Sequence, residues 1–141
     1  MWVLRRTAVS LIGTVAAVAL AAGACGGDDP DEPDGTVELD GTSWSDAAVD
    51  GFELAGTLEV TFADGSISVA GGCNTQTGAY HVDGDVLLAA SLAATRKACP
   101  QELMAQDAWV ADLLRSGVVV EVDGSTMTWS ATDVTVTMQS R

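Results

Sequence analysis

Chemistry in this 141-residue chain rests on few side chains, since it holds three cysteines and one histidine. Cys25 follows an apolar run, Cys73 lies in "VAGGCNTQTGAYHVDGD" and Cys99 in "ATRKACP". With Cys25 set aside for the N-terminus of an exported chain, Cys73 and Cys99 form an even pair. Oxidising compartments favour such pairs as disulfides. Two buried thiols are the first alternative, and metal binding or catalysis the second. A bridge would close about 26 residues and restrict the unfolded chain by roughly 3 to 4 kcal/mol on the loop-entropy model. A catalytic thiol would need a base, and His81 is the one histidine. Between Tyr80 and Val82 on a strand, His81 points opposite to both, outward. There is no Ser-His-Asp set, Gly-rich phosphate loop or metal-spaced His/Cys cluster. The residue types therefore point away from an enzyme, from a metal and from a cofactor.

Other polar residues near the cysteines have structural readings beside functional ones. Asn74, after Gly71-Gly72-Cys73, suits a side chain that holds a backbone turn by bonding to loop amides. Arg96 and Lys97 adjoin on an acidic chain, where carboxylates of the protein itself are the expected partners and an external anion the alternative. Trp44, Trp109 and Trp129 read as core, or as the wall of an open barrel that meets an apolar ligand.

Elements must position these groups, and turn signals divide the chain. Asp-Gly occurs at 34, 40, 50, 64, 83 and 123, a pair whose tolerance of positive φ marks tight turns. Between the turns apolar residues alternate: Leu58, Val60 and Phe62; Ile67 and Val69; Tyr80 and Val82; Val86 and Leu88; Val118, Val120 and Val122; Met127 and Trp129; Val134, Val136 and Met138. Period-two alternation predicts antiparallel strands with one buried face. From Pro100 to Ser116 the period changes. Leu103, Trp109, Val110, Leu113 and Leu114 share one helical stripe, with Gln106 inside it as an exception. Pro100 suits the first turn, Glu102 the N-terminal end, Arg115 the C-terminal end, and Gly117 the stop. The fold class is mainly antiparallel β with one packed helix, α+β.

The N-terminus has the layout of a bacterial export signal over residues 1–24: Arg5 and Arg6, an apolar run from Val9 to Ala22, then small residues. The run is short for a membrane span and is interrupted by Gly13 and Thr14. Ala22-Gly23-Ala24-Cys25 is similar to a lipobox, and Ala22-x-Ala24 also suits ordinary cleavage. Both cut before Cys25. Residues 25–36 are acidic and lack large apolar side chains, an extended tether carrying the lipidated Cys25. Residues 37–141 make one small domain. Loss of Arg5 and Arg6 leaves four basic residues against twenty acidic ones, a net charge of −16. Such a surface repels nucleic acid and anionic head groups, so attachment would come from the lipid.

"LDGTSW" (39–44), "GGCNTQTGAY" (71–80) and "ATRKACP" (94–100), followed by the helix and a terminal meander, resemble the META/HslJ family from Leu39 to Met138. Gly72, Cys73, Asn74, Thr95, Arg96 and Cys99 carry the resemblance. Gln76 stands where that family often has an aromatic, Lys97 where it often has methionine, and Ser45 where it tends to an aliphatic. The resemblance implies a partly open barrel with a helix packed on it, common in bacterial lipoproteins and linked to envelope stress, with no established reaction. The expectation is a non-enzymatic module anchored to the cell membrane, on its outer face or periplasmic side. Its partner would be an unknown protein or a hydrophobic small molecule carried in the barrel crack. A thiol-dependent enzyme is the remaining alternative.

Overall fold

In the computed structural model residues 36–141 are described. The export signal, Cys25 and the tether up to residue 35 lie outside them. The elements run β1 (Ser43–Asp50), β2 (Glu59–Ala63), β3 (Ser66–Ala70), β4 (Thr75–Ala79), β5 (His81–Asp83), β6 (Val86–Leu88), β7 (Ala93–Ala94), α1 (Gln101–Ser116), β8 (Val118–Asp123), β9 (Thr126–Ala131) and β10 (Val134–Ser140). Among the described residues the strands form one antiparallel sheet in the order β5-β6-β8-β9-β10-β1-β2-β3-β4-β7. The sheet curls into a half-barrel whose two edge strands, β5 and β7, do not pair with each other.

Local sequence explains the hairpins. β2 and β3 meet at Asp64-Gly65, where both residues have positive φ (51° and 71°), as a two-residue turn matched to strand twist requires. Phe62 then pairs with Ile67 and Val60 with Val69, and all four side chains are buried. The β8-β9-β10 meander repeats the device: Val120 pairs with Trp129 and Trp129 with Val136, again all buried. Trp129, Phe62, Met127 and Met138 fill the concave face.

The helix spans the opening between the two ends of the sheet. Its Asp107 carbonyl accepts from Gln76 of β4, and its Leu114 carbonyl accepts from the Ala89 amide just after β6. Val110 and Leu114 are fully buried, closing the core from this side. Pro100 caps the first turn and Gly117 ends the last. Leu103, Trp109 and Leu113 are half-buried rather than core.

Two expectations from alternation change, and one strand carried none. On β6 the buried residue is Leu87, followed by buried Ala89 just beyond the strand, while Val86 and Leu88 are half-buried and lie against Gly117 at the helix end. Pairing with β8 sets the faces, Leu87 opposite buried Val118 and Val86 opposite exposed Val119, so parity within the strand alone misassigned it. Val122 is exposed, because β8 runs past the core at its far end. β1 has no alternating apolar run to mark it, yet it is the central strand that joins the two halves, pairing β10 on one side and β2 on the other.

Gly51 ends β1 at a chain crossing. Its φ is +94°, and a Cβ there would overlap the Asp133 carbonyl oxygen of the β9-β10 turn. The atoms it would meet, in Asp133 and Val134, are all backbone, so none can rotate away. Gly51→Ala is expected to destabilise the domain by about 2 kcal/mol or more, lowering its thermal midpoint by about 8 °C or more. A variant melting with wild type would contradict the close approach.

Candidate functional site: the disulfide and its polar cluster

The segments carrying Gly72, Cys73, Asn74, Thr95, Arg96 and Cys99 meet at one corner, between the loop entering β4, the stretch after β7 and the helix. Cys73 and Cys99 are joined by a disulfide with Cα atoms 6.2 Å apart, within the span such a bridge allows. Gly72 makes the approach possible. Its φ is +113°, and a Cβ there would stand 3.1 Å from the Leu103 side chain.

Asn74 occupies the centre and is 8% exposed. Its Oδ1 accepts from the Lys97 amide at 2.8 Å and from the Thr95 hydroxyl at 3.0 Å. Its Nδ2 donates to Asp107 Oδ2 at 3.1 Å, and its own backbone N–H donates to the same oxygen at 3.0 Å. Thr95 and Thr75 also exchange bonds, Thr75 N–H to Thr95 Oγ1 and Thr95 N–H to Thr75 O, both at 3.0 Å. One amide side chain thus ties the Thr95–Lys97 segment to the helix, beside the disulfide. Asn74 meets one loop amide, that of Lys97, and also a hydroxyl and a helix carboxylate, so its side chain bridges distant segments.

Asp107 is also 8% exposed, and its second oxygen, Oδ1, is buried without a hydrogen-bond partner, facing Gly71. Sequence reading missed Asp107, because a lone acid beside an apolar stripe looks like the solvated face. Gln106 was visible as the exception within the stripe. It is fully buried, accepting from the Ala55 and Gly56 amides at 2.8 and 3.0 Å and donating to the Thr57 carbonyl at 2.9 Å. Gln76, where an aromatic was the family habit, is buried and donates to the Asp107 carbonyl at 2.6 Å.

The remaining candidates lie apart. His81 is exposed on β5, opposite Leu88. Arg96 and Lys97 are exposed and enter neither ion pair found among the described residues, Arg115–Asp112 and Arg141–Glu59. The expected internal pairing is therefore corrected: the loop turns both side chains to solvent, and only the Lys97 backbone is engaged. Tyr80 donates to Asp40 at 3.3 Å; burial first, then the Asp40 charge, hold its phenol above the ordinary value. Ionisation of Tyr80 in strongly alkaline solution consequently weakens the fold.

Trp44 and Trp129 are buried, whereas Trp109 is half-buried and stacks on Phe52. Large apolar side chains fill the core, and among the described residues grooves of about 350 to 480 Å³ open on the outside. Among the described residues no group of three or more His, Cys, Asp and Glu is placed to hold a metal ion. The cluster brings together a crosslink, an amide and a carboxylate, with no nucleophile beside a base.

A curled antiparallel half-barrel spanned by one helix, with a disulfide and an asparagine locking the helix entry to the sheet, defines a small clamped β-domain. The chain belongs to the META domain family, whose model matches residues 37–141. No protein with a curated description matches it in sequence. Solved structures share the fold, two NMR structures among them. An NMR structure of a protein from Burkholderia xenovorans aligns with a TM-score of 0.61 at 19% identity, covering 73% of this chain and 83% of that one. A second NMR structure aligns with a TM-score of 0.58 at 22% identity, covering 74% and 95%.

Proposed function

We propose that this protein is an exported, lipid-anchored lipoprotein whose META domain is a rigid, non-enzymatic binding module of the cell envelope, serving in its response to stress. One observation carries the reading. At the motif corner both sulfurs lie in a disulfide and both ends of the Asn74 amide in hydrogen bonds, leaving no free thiol there. Such a cluster holds a shape and leaves the outer surface to make contacts. Anchoring is supported by Arg5-Arg6, the apolar run, the small residues before Cys25 and the acidic tether after it. On a chain this acidic, a lipid supplies the membrane affinity that electrostatics would oppose.

Cys25→Ser is expected to move the protein from the membrane to the soluble fraction, and the wild-type mature mass to include acyl chains. A variant that stays membrane-bound, or a mature chain of unmodified mass, would replace the anchor with ordinary cleavage. The binding reading is tested separately. Photo-crosslinking from the domain surface in intact cells is expected to trap a defined envelope component, and the absence of any product from all faces counts against it.

A further inference from the structure

From the groove between the helix and the loop after β1 we infer the site and the partner class of the proposed binding module: a cationic, apolar peptide segment of another protein. The inference rests on the binding reading and adds its address. The groove, of about 420 Å³, is lined by Phe52, Glu53, Leu54, Ala55, Glu102 and Ala105.

One wall is helical. Glu102, Ala105 and Trp109 follow at i, i+3 and i+7 and so share a face, and the small Ala105 leaves the space between the other two. The opposite wall is the loop from Phe52 to Ala55. At one end Phe52 stacks flat on Trp109, with centroids 4.1 Å apart and planes within 3°. Two half-exposed aromatic rings thus present apolar surface beside the opening.

The walls are held in place before any ligand arrives. Gln106, fully buried next to Ala105, bonds the Ala55 and Gly56 amides and the Thr57 carbonyl, fixing the loop to the helix. Pre-organisation of this kind removes ordering cost from binding. It also explains why an amide sits in an otherwise apolar stripe.

Charge selects the occupant. Glu53 and Glu102 line the groove, no basic residue does, and neither carboxylate enters an ion pair among the described residues. Three other grooves among the described residues differ: that beside Ser45 mixes Asp46 and Glu59 with Arg141, that beside Trp44 combines Glu38 with Arg141, and that beside Val86 has no charged lining. An apolar floor with two carboxylates and an aromatic pair suits a side chain such as leucine flanked by lysine or arginine, with cation–π contact to the stack available.

The test titrates the mature chain, as purified from the producing cell, with an acetylated and amidated Lys-Leu-Leu-Lys-Leu-Leu-Lys peptide, read by calorimetry and tryptophan emission. Saturable binding is expected. It should weaken about three- to tenfold in a Glu53→Gln, Glu102→Gln double variant, and weaken further with added salt. Ala105→Leu fills the groove at an exposed helical position that tolerates leucine; it should abolish binding while leaving the melting temperature unchanged. Equal binding by wild type and Ala105→Leu, or equal binding of the glutamate-for-lysine peptide, overturns the assignment. So does concentration-dependent self-association blocked by Ala105→Leu, or phosphatidylcholine vesicles competing with the peptide, since the occupant would then be a second copy or a lipid. An envelope component crosslinked equally to wild type and Ala105→Leu would leave the binding module standing and remove only this groove.

Discussion

Cys73→Ser and Cys99→Ser are each expected to lower the stability of the oxidised protein by about 2 to 4 kcal/mol, read from urea or thermal unfolding. The bridge closes a separation of 26 residues, and its loss returns that loop's freedom to the unfolded chain. In the folded chain the consequence falls on the helix entry. Cys99 stands immediately before the capping Pro100, so the bridge holds the first turn against the loop before β4. Because both variants break one bond, the double variant should cost little more than either single one. Reduction of wild type should reproduce the loss, and reduction of either variant should add nothing. Two titratable thiols in native protein, or additive losses, would remove the crosslink from the stability of this domain.

Asn74→Ala is expected to cost a further large amount, about 2 to 4 kcal/mol. The variant removes the acceptor for the Lys97 amide and the Thr95 hydroxyl and deprives Asp107 Oδ2 of its side-chain donor. Asp107 already has one buried oxygen without a partner, so each remaining donor matters more. A double-mutant cycle of Asn74→Ala with Asp107→Ala should reveal coupling of about 1 kcal/mol or more. Thr95→Ala, at an exposed position where water can replace the hydroxyl, should cost about 1 kcal/mol or less. Independent additive losses for Asn74 and Asp107 would show that the helix is held by the disulfide and apolar packing alone.

Side chains whose neighbours are set by local geometry are legible in the amino-acid sequence itself. The hairpins at Asp64-Gly65 and Asp123-Gly124 follow from turn residues between alternating runs, and the observed pairs Phe62–Ile67 and Val122–Met127 obey that register. The helix from Gln101 to Ser116 follows from a Pro start, a Gly stop and 3.6-residue spacing. The motifs around Cys73 and Cys99 marked the corner where the sheet, the helix and the disulfide meet, and the family resemblance named the fold.

Partners distant in sequence were decided only by the tertiary structure. β1 binds β10 across most of the domain's length, a pairing no local pattern encodes. Parity on β6 reversed because its register against β8 sets Leu87 opposite buried Val118 and Val86 opposite exposed Val119. Arg96 and Lys97 turned outward although acids abound, since composition supplies charges but not their directions. Asp107 became a buried acceptor through Asn74, 33 residues away, and Gln106 a loop anchor through residues about 50 away. Periodicity reports which side of an element is apolar; a polar side chain's partner depends on which distant backbone groups arrive unpaired beside it, and that is fixed only when the sheet curls and the helix spans its gap.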